Sequence, residues 1–161
     1  MGTLLYKTKL IRGKRNLITD VPGVKVGHIT LSDHNIQTGV TVILPRTDNI
    51  FQNKYVGAFQ VINGFGKSMG LVQLDELGTL ESPIALTNTL SVGTVAQAVV
   101  KWMLKDNEDI GTTTGTINVV VGECNDGYLN DIRGCHIKEE HVFEAFQNAD
   151  EHFEEGAVGA G

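Results

Sequence analysis

The stretch INVVVGECNDGYLNDIRG, residues 117–134, decides how the rest of the chain is read. Residues 117–122 are apolar almost without interruption and β-branched, which predicts a central strand covered on both faces rather than an alternating half-exposed one. Polar groups then crowd together: Glu123, Cys124, Asn125, Asp126, Tyr128, Asn130, Asp131 and Arg133. A loop at the end of such a strand is a common place for a binding site. Glu123 would sit at its mouth, able to pair with an ammonium, and Tyr128 could contribute one hydrogen bond. The same residues also read as a purely structural loop. In that reading Asx turns tie it together, Asp126-Gly127 is a tight turn, and Asp131 and Arg133 form a surface pair.

Outward from this strand, four more short β-branched runs bounded by Gly, Pro or Asn predict strands at 24–31, 38–45, 56–63 and 84–90. Val92, Val95, Ala96, Val99 and Met103 recur at helical spacing behind Ser91, a plausible cap. Val142, Ala145, Phe146, Ala149 and Phe153 recur in the same way, and Gly156 would stop that helix. Residues 70–80 fit either a strand or a helix. Strands before helices predict an α+β fold, or a sheet covered by helices on one side.

With 161 residues, 41% apolar and 20% charged, the chain suits a single domain, 1–161, with a real core. A net charge of −6 and no basic stripe argue against a nucleic-acid partner. The basic clusters Lys7 to Lys9 and Arg12 to Arg15 read as solvated surface. No run reaches membrane-spanning length and the first residues lack a leader's apolar core, so the expected location is cytoplasmic, with no membrane partner. Met1-Gly2 does not make a myristoylation signal, because position 6 is Tyr6. Cys124 and Cys135 do not form a disulfide framework and are expected to be reduced. His28, His34, His136, His141 and His152 show no metal-ligand spacing, and neither metal nor cofactor is expected.

Three further candidates carry plain alternatives. Cys124 with His136 or His141 could make a thiol hydrolase, but a small buried thiol at a strand end is commoner. GFGKSMG (64–70) lacks phosphate-loop spacing and reads as a turn with positive-φ glycines. In TNTLSVG (87–93), capping accounts for Ser91 and leaves Asn88 without a role.

ITDVPGVKVGHITL (18–31), TGVTVILP (38–45), SPIALTNTLSVG (82–93), VVGECNDGYLNDIRG (120–134) and EEGAVGAG (154–161) occur in this order. Together they resemble the DmpA-type aminopeptidases, the L-aminopeptidase/D-Ala-esterase/amidases and β-peptidyl aminopeptidases, over about residues 16 to 161. The resemblance implies an αββα sandwich shared with the ornithine acetyltransferases. It implies an N-terminal-nucleophile hydrolase whose precursor cuts itself before a serine or threonine; the freed residue then acts with its own amino group as base. By motif position, Glu123 would hold the free amino group of the substrate and Tyr128 would line the same pocket. Asn63 and Asn88 fall in matching segments near the site, without an assigned role. Leu90 stands where many relatives have histidine.

The same resemblance places the nucleophile beyond Gly161, so no catalytic residue is expected in this chain. The expected partners are a small peptide or amide with a free amino group, a complementary β-subunit-like chain, and further copies in an oligomer of αβ units. Residues 156–161 would be a glycine-rich connection and not a terminus held in place by itself. The chain alone would be inactive and would expose an apolar patch. The alternatives are a non-catalytic amine-binding protein and an acyltransferase relative.

Overall fold

The computed structural model describes residues 10–160; Lys7 to Lys9, Tyr6 and Gly161 lie outside the described residues. Two long strands, β1 (Lys25–Asp33) and β2 (Ile36–Leu44), pair antiparallel around His34 and Asn35. β3 (Tyr55–Val56) and β4 (Thr79–Leu80) form a separate antiparallel pair that brackets α1 (Leu71–Leu77). β5 (Ile84–Asn88) lies antiparallel on β2, and β6 (Val120–Cys124) lies parallel on β5. The main sheet therefore has the order β1-β2-β5-β6. The parallel step is bridged by α2 (Val92–Leu104), and α3 (Glu139–Gln147) follows β6.

Both longer helices cover the same face of this sheet, α2 over β5 and β6, α3 over β1 and β2. Their apolar stripes meet the inward residues Val40, Val42, Ala85 and Val121, all with no exposed surface. Trp102 of α2 stacks on Phe146 of α3 with ring centroids 4.5 Å apart, which locks the two helices side by side. Gly27 lets α3 come close. A β-carbon there would overlap the carbonyl oxygen of Ala145 and lie 2.8 Å from the nitrogen of Ala149. The result is the α+β class, with helices on one side.

Three expectations are corrected and one open segment is resolved. Among the described residues β6 is an edge strand of the sheet and not a central one. Its neighbouring residues Val120 and Val121 are nevertheless buried on opposite faces, at 8% and 0% exposure. An apolar run reports covered faces, whereas a central place requires two paired edges. Here the free edge is closed by one pair of backbone hydrogen bonds between Met69 and Val121 (2.9 and 3.1 Å).

The strand expected over 56–63 is real only at Tyr55 and Val56. After Gly57 the chain leaves its partner β4 and finds no other ladder, and β-propensity without a neighbour does not make a strand. The helix expected to reach Gly156 ends at Gln147. Asp150 there exchanges backbone hydrogen bonds with Val26 (3.0 and 3.1 Å), so the outer edge of β1 takes over the chain. Ala149 and Phe153 keep the helical spacing in sequence only. The ambiguous segment 70–80 resolves into α1, stopped by Gly78 in the left-handed conformation at φ 62°, and then β4.

Among the described residues most buried polar side chains are paired, whereas Thr19 Oγ1, His28 Nε2, Ser91 Oγ and His136 Nε2 are not. Glu81, 4% exposed, accepts from the Asn118 backbone at 2.7 Å and from Lys54 Nζ at 3.0 Å. No helix among the described residues is long and apolar enough to cross a membrane.

Gly27→Ala should destabilise the fold by about 2–3 kcal/mol, because backbone on both sides must shift. Gly93→Ala, on the exposed side of α2 with open space at its β-carbon, should be neutral or stabilising. Denaturant unfolding of both variants checks this; equal behaviour would contradict the close approach of α3.

Candidate functional site

The parallel pairing of β5 with β6 sets Thr87 opposite Glu123 and Asn88 opposite Cys124, so both strands end at the same rim. Beyond β5 the chain makes a short turn, Thr89–Ser91, before α2. Asn88 builds that turn. It is 1% exposed, its Oδ1 accepts from the Ser91 backbone N–H at 3.1 Å, and its Nδ2 donates to Thr38 Oγ1 at 2.9 Å. The cap is thus Asn88 and not Ser91, whose own hydroxyl is buried with no hydrogen-bond partner. At 1% exposure Asn88 presents no surface to a ligand; it sets where Thr89 points.

Thr89 Oγ1 donates to one carboxylate oxygen of Glu123, Oε2. The backbone N–H of Lys67 donates to the other, Oε1, at 2.9 Å. The Glu123 carboxylate is therefore held in orientation by two neutral donors. No described Lys, Arg or His makes an ion pair with it. It is half-buried at the end of β6, and its oxygens keep spare acceptor capacity.

The clamp comes from GFGKSMG, which contributes a backbone donor and no phosphate cradle. Of its three glycines, only Gly70 has positive φ (86°), so the expected turn of left-handed glycines is corrected. The Lys67 ammonium turns away from Glu123, donating to the Phe65 carbonyl at 2.8 Å and lying 3.5 Å from the Phe65 ring centroid.

Two cavities meet at this carboxylate. The larger, about 670 Å³, opens between the 59–68 loop and the sheet, with Phe59, Val61, Ile62, Phe65 and Leu86 as its apolar walls. Asn63 lies on its rim, exposed, with Oδ1 accepting from the Phe65 N–H at 3.3 Å. The smaller, about 310 Å³, lies on the other side of Leu86 and Cys124 and is completed by His28, Thr41, Thr87, Val158 and Ala160. The segment 156–160 is not loose here. Gly159 N–H donates to Thr30 Oγ1 at 2.8 Å and Ala160 N–H to Thr41 Oγ1 at 3.1 Å, so it is seated across β1 and β2.

Tyr128 is not brought to Glu123. It is 97% exposed and lines neither cavity. The loop after Cys124 follows the structural reading for most of its length. Asn125 Oδ1 accepts from Gly127 N–H at 3.0 Å, and Asn130, 5% exposed, joins Asp126 Oδ1 (3.0 Å) to the Gln37 backbone (3.0 Å). Asp131 faces His136 at 3.6 Å and makes no pair with Arg133.

Cys124 is exposed and not the buried thiol expected, because it lies at the rim where β6 ends, yet it is not set up as a nucleophile. Loss of hydration, then the negative charges of Asp126 and Glu123, push its thiol up from the ordinary range. His141 Nδ1 accepts from the Lys138 backbone at the start of α3 and His136 faces Asp131, whereas the Cys124 thiol donates to the Ala160 carbonyl. Sequence reasoning missed Thr89, the Lys67 N–H and Leu86. Thr89 was visible in TNTLSVG; a backbone donor leaves no mark in a sequence.

The family model described as peptidase family S58 matches residues 16–161. The chain is 39% identical over 159 residues to the β-peptidyl aminopeptidase BapA of Sphingosinicella microcystinivorans, covering 92% of this chain and 39% of that protein. It superposes on a crystal structure of a protein from Pyrococcus horikoshii OT3 with a TM-score of 0.90 at 58% identity, covering 94% of this chain and 45% of that one. The L-aminopeptidase D-Ala-esterase/amidase of Ochrobactrum anthropi, described as a variant of the Ntn hydrolase fold, matches with a TM-score of 0.80 at 30% identity. There the match covers 96% of this chain and 46% of that one. The chain thus spans less than half the length of each of these proteins. Nearly the whole of its sequence falls within one family model and its fold is that of these relatives: the chain belongs to peptidase family S58.

Proposed function

We infer that this chain supplies the amine-recognition part of an aminopeptidase acting on small peptides, amides or esters with a free amino group. The observation that carries the reading is Glu123: a carboxylate oriented by two neutral donors, without a cation partner, facing an apolar-walled cavity. A carboxylate in that setting attracts an ammonium and gives nothing comparable to a neutral, acylated amine. The apolar walls would take the side chain of the N-terminal residue. Relatives named as β-peptidyl aminopeptidase and L-aminopeptidase support the reaction class.

The chemical step belongs to an N-terminal serine or threonine on a segment outside this chain. Its hydroxyl adds to the substrate carbonyl while its own α-amino group takes the proton. That proton then goes to the departing amine or alcohol as the bond to carbon breaks. Water, deprotonated by the same amino group, releases the acyl enzyme. Glu123 takes no proton in these steps. It fixes the substrate ammonium so that the carbonyl meets the nucleophile, a contribution of position. Asn88 and Thr89 hold Glu123, and Asn63 borders the cavity; Tyr128, exposed in this chain, is assigned no part.

In the complete protein, Glu123→Gln should lower kcat/KM on free-amine substrates by about 10- to 150-fold, the loss of a charge-assisted hydrogen bond of roughly 1.5–3 kcal/mol. N-acetylated substrates should change little. Equal losses on both classes would remove the amine-recognition role. Saturable amine binding without turnover would instead support a non-catalytic amine-binding protein.

Cys124 should alkylate slowly at neutral pH, because a raised thiol pKa leaves little thiolate. Cys124→Ser should keep most activity. Loss of all activity with normal folding would restore the thiol-hydrolase reading.

A further inference from the structure

The small cavity beside Glu123 has one wall made of main chain, Val158 to Ala160, and the question is what keeps that wall in place. Three observations converge on one hydroxyl. Thr41 Oγ1 accepts the N–H of Ala160 at 3.1 Å and lies 2.9 Å from His28 Nδ1. Gly159, buried and at φ 63°, passes so close that a β-carbon would overlap Thr41 Oγ1 and lie 2.6 Å from His28 Nδ1. On the other side, a β-carbon on Gly39 would overlap the Gly159 carbonyl oxygen. The backbone is thus lowered into a slot that two glycines open, and Thr41 stands at its floor.

A threonine hydroxyl has one proton to give and two lone pairs. With one lone pair taken by Ala160 N–H, His28 Nδ1 either accepts the hydroxyl proton or donates to the second lone pair, according to its tautomer, and in both cases it fixes the hydroxyl's orientation. Thr30 repeats the arrangement one step away, accepting from Gly159 N–H at 2.8 Å. Beyond the slot, the Ala160 carbonyl lies against Cys124 Sγ, next to Glu123. We propose that Thr41, oriented by His28, is a positioning residue of the Glu123 site, seating residues 158–160 as the wall of its smaller cavity.

Burial holds His28 below the ordinary histidine range, and the carbonyl and carboxylate of Glu154 oppose that shift. Glu123 and Cys124 share its cavity, and the Phe153 ring packs at 5.9 Å. The sign follows. Above the ordinary histidine pKa the ring is neutral and the seat is complete. As pH falls through the depressed pKa, the ring takes on a charge that its desolvated place against Thr41 disfavours, and the seat loosens.

The activity arm of the test rests on the aminopeptidase reading; the exchange arm does not. In the complete protein, Thr41→Val keeps the shape and removes the hydroxyl, and Thr41→Ser restores it. Amide hydrogen exchange at Ala160 should speed up by about tenfold in Thr41→Val and stay within about threefold in Thr41→Ser. kcat/KM on an aminoacyl p-nitroanilide should follow the same order. In the wild type alone, Ala160 protection, corrected for intrinsic exchange, should fall with pH as His28 protonates. Unchanged exchange at Ala160 in Thr41→Val, or equal effects of Val and Ser, would overturn the proposal. Altered exchange with no turnover even in the wild type would leave the seat standing and remove the aminopeptidase reading. Should Thr41→Val fail to fold, Thr30→Val removes the acceptor of Gly159 alone. Faster exchange at Gly159 would then support the seat, and unchanged exchange would overturn it.

Discussion

Everything at the candidate site depends on the parallel register of β5 against β6. With Thr87 opposite Glu123 and Asn88 opposite Cys124, two chain segments far apart in sequence end at one rim. A parallel pair needs a crossover, and α2 supplies it while burying the sheet face beneath. The turn that starts the crossover carries Thr89, and Asn88 fixes that turn from inside with its amide oxygen and nitrogen both bonded. A shift of one residue in register would put Glu123 on the other face and separate it from Thr89.

The carboxylate is held by neutral donors, and this matters for its chemistry. An arginine or lysine would orient Glu123 equally well and would also cancel its charge. A backbone N–H and a hydroxyl orient it and leave the charge for a ligand. The loop 57–69 provides the N–H. That loop has no ladder of its own, and it is fixed to the sheet by the two hydrogen bonds between Met69 and Val121. The closing of the β6 edge and the orientation of Glu123 are therefore one structural event, two residues apart in the chain.

Glycines decide the opposite wall. Gly27 brings α3 onto the helix-covered face, whereas Gly39 and Gly159 let backbone lie on backbone over the other face. The side chains that would ordinarily separate these segments are missing, so hydroxyls of Thr30 and Thr41 reach main-chain donors directly. The slot ends beside Cys124 and Glu123, which joins the glycine-rich segment to the site.

By itself the sequence determined the class, most of the elements and the residue with the decisive charge. Apolar spacing and β-branched runs mark burial, and burial drives β1, β2, β5 and α2 whatever their neighbours. Glu123 stood out because a carboxylate at the end of an apolar strand needs an explanation. Only the tertiary structure decided that β6 lies at an edge, that the last helix stops at Gln147, that 57–63 is a loop, and that Tyr128 stays outside the cavity. Each depends on a partner distant in sequence: Met69 for Val121, Val26 for Asp150, a missing strand for 57–63, and Asn130 for the loop bearing Tyr128. Side-chain pattern records which faces are covered. It does not record which backbone groups find each other, and at this site those pairings place Thr89, the Lys67 N–H and Ala160 around Glu123.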